Sequence, residues 1–177
     1  MAGINQSGEQ QKEKGQAFGL KALQQTAPPV GASETKTSGV DEQEQKEIIE
    51  ILQAYFLKET GDPDKAEELL GKLAATITQD DGAKLVHLGK TVFLVLVRGT
   101  GMVEVHTMSV DDDSLSLAKS FVALTKYLKN IGVKLAYTYT DDPKYELVAK
   151  RTRLPFKKSS TIGGDGKKYT AYYLEFK

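Results

Sequence analysis

Three consecutive aspartates, Asp111, Asp112 and Asp113, and then Ser114 lie where an apolar stretch gives way to a helical pattern. Such junctions often bind anions, because unpaired backbone N–H groups and the positive end of the helix dipole point outward there. Asp and Ser at a helix start satisfy those N–H groups themselves, so the run predicts a helix cap. The functional alternative is a divalent cation that the aspartates hold and that bridges a phosphate.

A second pair of titratable residues, Glu104 and His106, lies in the preceding segment MVEVHTMSV. In a strand, residues two apart point to the same face, so the two side chains should be neighbours. Such a pair could share a proton and act as a general base. The alternative is a polar strand face covered by helix ends or by solvent.

Metal chemistry has little support in the composition. The chain has no cysteine and only two histidines, which excludes thiolate sites and disulfides and argues against zinc. We therefore expect no metal site.

The elements that position these residues follow from hydrophobic periodicity. The sequence predicts two helices over about 41–60 and 62–79, the second with Asp62 as N-cap and Pro63 at its first position. A change to period two predicts three strands, of which TVFLVLVRG is apolar on both faces and hence central. A long helix from Asp113 or Ser114, a strand KLAYTYT, a short helix and a hairpin around GGDG complete the chain.

Residues 1–40 show neither helical nor strand periodicity and are rich in Gln, Gly, Ser, Thr, Ala, Lys and Glu. Such a composition cannot bury enough apolar area to offset its ordering entropy, so it predicts an extended arm in front of one domain, residues 41–177. The one apolar cluster of the arm, Phe18, Leu20 and Leu23, could lie along one side of a short docked element. The alternative is an incidental scatter of apolar residues.

This order of elements resembles that of the GNAT-type N-acetyltransferase superfamily without its first strand. The resemblance covers about 41–177 and is strongest in DDPKYELVAKRTRLPF, where Asp142 falls near a common Asn and Phe156 at the Phe of a Gly-Phe pair that here reads Pro155-Phe156. It implies an α+β fold with a mixed, mostly antiparallel sheet flanked by helices.

The resemblance also implies where acetyl-CoA would bind. In the family its pyrophosphate lies in a glycine-rich loop at the start of the long helix, in the position of Val110, Asp111, Asp112, Asp113 and Ser114. No glycine occurs here from Met102 to Ile131, and a glycine is what lets the backbone approach phosphate oxygens closely. Two unit charges about 4 Å apart at an effective dielectric of about 20 repel by about 4 kcal/mol, more than the helix dipole offers.

The family's general acid is also missing from its usual place. Many relatives have a tyrosine in the short helix just before the Gly-Phe pair. Counting back from Phe156 reaches Arg151, Lys150 or Ala149, and Tyr145 is too early. We therefore expect no catalytic residues and no cofactor. If the protein is an enzyme, Glu104 and His106 are the candidate bases and acetyl-CoA is the cofactor.

The net charge of zero conceals an asymmetry, since residues 1–83 carry a net −7 and residues 84–177 a net +7. The basic groups concentrate in KRTRLPFKK and predict an acidic partner, unless two solvated faces merely differ. The residues concerned are Lys150, Arg151, Arg153, Lys157 and Lys158. Phe156 is the single aromatic residue in this run, which lacks the repeated aromatic interleaving that stacks on bases, so we do not expect a nucleic acid partner.

Three functions remain open from the sequence. The first is a non-catalytic interaction protein whose arm docks on neighbouring subunits of an assembly, because the chain resembles small GNAT-like virion proteins of short-tailed bacteriophages. The second is an acetyl-CoA-dependent N-acyltransferase with an atypical cofactor loop, and the third is a regulatory module that binds an acidic partner. No apolar run suits a membrane helix or a signal peptide, so we expect a location in a virion or the cytoplasm.

Overall fold

A computed structural model of the protein describes residues 42–177. These residues form four helices and six strands, in the order α1 (Glu42–Thr60), α2 (Pro63–Gln79), β1 (Ala83–Leu88), β2 (Thr91–Gly99), β3 (Met102–Ser109), α3 (Ser114–Asn130), β4 (Leu135–Thr140), α4 (Lys144–Thr152), β5 (Lys157–Ile162) and β6 (Lys168–Glu175).

The six strands form one sheet in the order β1-β2-β3-β4-β6-β5. Every neighbouring pair is antiparallel except β3 and β4, which run parallel and are joined by the crossover helix α3. The mixed, mostly antiparallel sheet flanked by helices confirms the predicted fold class.

Strand β2 is the centre of the packing, as its two-sided apolar pattern predicts. Its residues from Thr91 to Leu96 are all buried. Phe93 and Val95 belong to the apolar cluster under α3 and α4, whereas Val92 and Leu94 belong to the cluster under α1 and α2. The sheet therefore has an α1/α2 face and an α3/α4 face, each with its own core.

The helix boundaries follow the predicted signals. Asp62 caps α2 by accepting hydrogen bonds from the backbone N–H groups of Asp64 and Lys65, and Pro63 opens the helix. Asp113, rather than Ser114, caps α3. Gly132 ends α3 with a φ of 82°, which a residue with a side chain rarely adopts.

The predicted arm, residues 1–40, and its apolar residues Phe18, Leu20 and Leu23 lie outside the described residues, so the division into arm and domain stays a prediction. Between residues 42 and 177, no helix is long and apolar enough to cross a membrane.

Candidate functional site

Strands β3 and β4 separate soon after they begin. Their parallel pairing covers Met102 with Leu135, Val103 with Ala136 and Glu104 with Tyr137, and it stops there. Beyond that point β3 continues to Ser109 and β4 to Thr140. The result is a split between the two strands that opens toward their carboxyl ends, next to the start of α3.

Three backbone donors at the start of α3 are already occupied by carboxylates of the chain. One oxygen of Asp113 accepts from the N–H of Leu115 at 3.1 Å, and the other accepts from that of Ser116 at 3.1 Å. The N–H of Asp113 itself donates to Asp111 Oδ1 at 3.0 Å. These are the donors that would hold an external anion, so the carboxylates of the chain take the place of that anion.

The loop that leads into α3 also donates its backbone N–H groups to acceptors within the protein. The N–H of Asp111 donates to Ser109 Oγ at 3.1 Å, and that of Val110 approaches Lys90 O at 3.4 Å. Ser109 is buried, and its hydroxyl is 2.9 Å from that of Thr91. This part of the loop therefore has no unused amide that points outward.

Two cations neutralise part of the anionic loop from outside. Lys58, in the last turn of α1, donates to Asp112 Oδ1 at 2.6 Å. Arg151 of α4 donates to Ser114 Oγ at 2.6 Å and lies 3.9 Å from Asp113. The hydrogen bond from Lys58 lowers the pKa of Asp112 below its ordinary value. Both cations are thus engaged by side chains of the loop rather than presented to a phosphate.

The pKa of Asp111 is also below its ordinary value. The largest cause is a hydrogen bond from the Ser116 side chain, followed by the backbone N–H of Asp113. Both donors stabilise the ionised carboxylate. Asp111 and Asp112 therefore remain negatively charged at neutral pH.

Tyr145, in the first turn of α4, is partly buried against the apolar cluster under α3 and α4, beside the split. Its ring meets that of Phe121 edge to face, with centroids 6.2 Å apart. Burial raises the pKa of Tyr145 well above its ordinary value, and the nearby Tyr55 of α1 raises it further.

Thr107 of β3 faces this group of aromatic residues. Its Oγ1 is buried and has no hydrogen bond of acceptable geometry. The Thr107 side chain nevertheless lowers the pKa of Tyr145, which opposes the rise that burial causes. The two groups are therefore in loose polar contact, which leaves one buried hydroxyl incompletely satisfied beside the split.

Glu104 and His106 are brought together as predicted. His106 Nε2 lies 3.0 Å from Glu104 Oε1, while Arg98 Nε donates to Glu104 Oε2 at 2.8 Å. The side chain of Glu104 is only 16% exposed and that of His106 is 49% exposed. Both carboxylate oxygens thus have a partner, at the point where β3 and β4 begin to separate.

Three tyrosines continue the α1/α2 face of the sheet beyond Glu104. Tyr137 and Tyr139 of β4 meet edge to face at 5.5 Å, and Tyr137 and Tyr173 of β6 lie 6.3 Å apart. We call Tyr137, Tyr139 and Tyr173 the tyrosine face. Tyr139 is 45% exposed. The sequence signal for this surface, which was not predicted, is the alternation in KLAYTYT that puts Tyr137 and Tyr139 on one face of β4.

The predicted basic surface is largely neutralised by its own neighbours. Lys150 and Lys158 both lie within 3.3 Å of Glu146, at 3.3 and 3.2 Å respectively. Lys157 is 2.7 Å from Glu175. Arg153 ends α4 in the left-handed conformation, with a φ of 56°. The five basic residues therefore do not form one free cationic patch, and an acidic partner stays a prediction.

One further feature was not anticipated from sequence. Lys58 and Arg151 come from distant parts of the chain and meet the aspartate run only after folding, and no local sequence pattern predicts such contacts.

Among residues 42–177, no three His, Asp or Glu side chains converge in a way that could hold a metal ion.

The described chain is similar in structure to known acetyltransferases. A probable acetyltransferase of the GNAT family from Chromobacterium violaceum matches 84% of this chain and 97% of its own, with 12% identity and a TM-score of 0.53. An acetyltransferase from Agrobacterium tumefaciens matches 82% of this chain and 100% of its own, with 12% identity and a TM-score of 0.50. No protein-family model and no curated protein matches the sequence. The chain therefore has a GNAT-type fold.

Proposed function

We propose that the protein is a non-catalytic interaction protein built on a GNAT-type fold, and that it does not use acetyl-CoA. The observation that carries this proposal is the start of α3, where Asp111 and Asp113 accept the N–H groups of Asp113, Leu115 and Ser116. A pyrophosphate would have to displace these carboxylates while remaining beside their charge.

The residues present do not fit coenzyme A in two other respects. Lys58 and Arg151, which could compensate phosphate charge, are engaged by Asp112, Asp113 and Ser114. Tyr145 lies partly buried beside the split with its ring against Phe121. Aromatic side chains of the protein itself thus lie next to the split.

We further propose that the protein belongs to an assembly such as a bacteriophage virion. In that assembly, Phe18, Leu20 and Leu23 of the arm would dock on neighbouring subunits. This role is supported by an analogy with small GNAT-like virion proteins in size and in the lapsed acetyl-CoA loop, and by the composition of residues 1–40. Solution mass of the full chain and of a Phe18→Ser, Leu20→Ser, Leu23→Ser variant tests it. At chain concentrations above the millimolar range, where a neighbouring copy can compete with the chain's own surface, the variant should lose self-association, and an unchanged mass would contradict that role.

Calorimetric titration with acetyl-CoA tests the absence of cofactor binding. No heat of binding is expected at millimolar acetyl-CoA for the natural chain. The matched control replaces Asp111, Asp112 and Asp113 by Asn, which removes the charges but leaves acceptors for the N–H groups. Micromolar binding by the natural chain would contradict the proposal, whereas binding by the Asn variant alone would identify charge as the barrier.

A second candidate function, N-acyltransfer, is favoured by one observation. Glu104 and His106 lie 3.0 Å apart, next to the point where the strands separate. In that case one of them would take the proton of an acceptor amine, and Arg98 would hold the Glu104 carboxylate in position.

An acetyl-transfer assay over a set of primary amines separates this candidate from the first. The natural chain and a Glu104→Gln variant, which keeps the size of the side chain, form the matched pair. Transfer that disappears in the variant would favour the enzyme. No transfer by either protein is the result that the non-catalytic proposal predicts.

A further inference from the structure

The tyrosine face is not covered by any helix of the described residues. The apolar cluster under α1 and α2 draws its sheet residues from β1, β2 and β3 and extends no further than Met108. Tyr137, Tyr139 and Tyr173 come from β4 and β6, on the same side of the sheet. Among residues 42–177, helices α1 and α2 therefore cover the part of this face that β1, β2 and β3 form, and leave the part formed by β4 and β6 open.

The open half has the chemistry of a contact surface for apolar side chains. Ala171 of β6, which pairs with Tyr139, is completely buried beneath the rings, and Tyr139 itself is 45% exposed. Tyrosine combines a large apolar ring with a hydroxyl that tolerates water, which suits a surface that is covered by a docked segment.

The charges at the rim of the tyrosine face are already paired. Arg98 binds Glu104 at 2.8 Å, and Lys157 binds Glu175 at 2.7 Å. A charged occupant would have to compete with these pairs, whereas an uncharged one would not. Of residues 15–33, Lys21 is the only charged one, and the apolar residues Phe18, Leu20 and Leu23 lie around it. This segment matches the surface in polarity and in charge.

The same segment can reach the surface from its own domain. Helix α1 begins near the β1 edge of the sheet, since Glu44 lies 3.7 Å from His87 at the end of β1. From β1 to β6 is four strand spacings, about 19 Å. Residues 24–41 form an 18-residue connection, and a flexible chain of that length has an end-to-end distance of about 23 Å.

We propose that residues 17–23 dock on the tyrosine face of their own chain, with Phe18, Leu20 and Leu23 against Tyr137, Tyr139 and Tyr173. A connection of this length gives an effective concentration on the order of millimolar. The intramolecular contact therefore wins over a second copy in dilute solution. The inference goes beyond the proposed function because it concerns the free chain in dilute solution, whereas in an assembly the same segment would leave this face for a neighbouring subunit.

Disulfide trapping tests this placement, because the natural chain has no cysteine. One full-length variant carries Leu20→Cys and Tyr139→Cys. The matched control carries Leu20→Cys and Ile131→Cys, where Ile131 is 53% exposed at the end of α3, on the opposite face of the sheet. Both proteins are oxidised in a glutathione buffer at about 1 µM, and circular dichroism verifies their fold.

The proposal predicts an intramolecular disulfide that forms about tenfold faster with Cys at 139 than with Cys at 131. Equal rates for the two pairs would overturn it. Disulfide-linked dimers of the 139 variant would also overturn it, because they would place the segment on a neighbouring copy. As a second measurement, tetranitromethane should nitrate Tyr139 several times faster in the Phe18→Ser, Leu20→Ser, Leu23→Ser variant, and an unchanged rate would count against the contact.

Discussion

The start of α3 and the tyrosine face differ in how much of their bonding capacity the domain itself uses. At the start of α3, Asp113 and Asp111 accept backbone N–H groups, and Lys58 binds Asp112. On the tyrosine face, Tyr139 leaves nearly half of its surface exposed. The first region is closed by its own residues, and the second is open to a partner.

The two regions also differ in how their strands pair. The split between β3 and β4 follows from their short parallel pairing, which ends at Glu104 and Tyr137. Strands β4 and β6, which carry the tyrosine face, pair over six residues of β4, from Leu135 to Thr140. The sheet is therefore interrupted beside the start of α3 and continuous under the tyrosine face.

The largest effect is expected in the aromatic core beside the split. Phe121→Ala should lower the free energy of unfolding by about 3–5 kcal/mol, because Phe121 is buried against Phe93 and Tyr145. Urea denaturation measures this loss. Leu115→Ala, at a 49% exposed position of the same helix, is the control and should change stability by less than about 0.5 kcal/mol. A loss below about 1 kcal/mol for Phe121→Ala would indicate an open cleft instead of a packed core.

Alkaline pH provides a second test of the same region. Burial raises the pKa of Tyr145 above its ordinary value of 10.0. The unfolded chain releases this proton above about pH 10 while the folded chain retains it, so stability should fall by up to about 1.4 kcal/mol per pH unit. Tyr145→Phe removes this contribution. Thermal unfolding at pH 9 to 11 should show a shallower loss in the variant, and parallel curves would contradict the buried placement.

A smaller effect is expected at the cap of α3. Asp113→Ala removes the acceptor for Leu115 and Ser116 and should cost about 1 kcal/mol. Asp112→Ala, which loses only an exposed ion pair with Lys58, should cost less. Chemical denaturation of the two variants compares them directly. Equal losses would show that the aspartate run does not act as a cap.

The smallest effect on stability is expected on the tyrosine face. Tyr139→Ser should change the free energy of unfolding by no more than about 0.5 kcal/mol, because the ring is half exposed. The same substitution should markedly slow trapping between Cys at 20 and a Cys introduced at Tyr137. A strong loss of stability without any change in trapping would make Tyr139 a packing residue.

The parts of the molecule that the sequence predicts best are those governed by local rules. Asp62 and Asp113 cap their helices because a short side chain next to a helical pattern has few other roles. The approach of Glu104 to His106 follows from strand alternation. The contacts of Arg98 with Glu104 and of Lys58 with Asp112 depend on tertiary approach.

Tyr145 illustrates the limit of motif counting. In the sequence, Tyr145 lies too far before Phe156 to occupy the position of the general acid in the GNAT family. The structure shows that the side chain instead enters the core against Phe121. Its burial depends on how α4 crosses the sheet, which spacing in the sequence does not determine.

The most direct test of the account is the titration of the natural full-length chain with acetyl-CoA. The account predicts no heat of binding at millimolar acetyl-CoA, because Asp111 and Asp113 occupy the N–H groups that a pyrophosphate needs. Binding in the micromolar range, with a density map that places the pyrophosphate at Asp111 to Ser114, would contradict it.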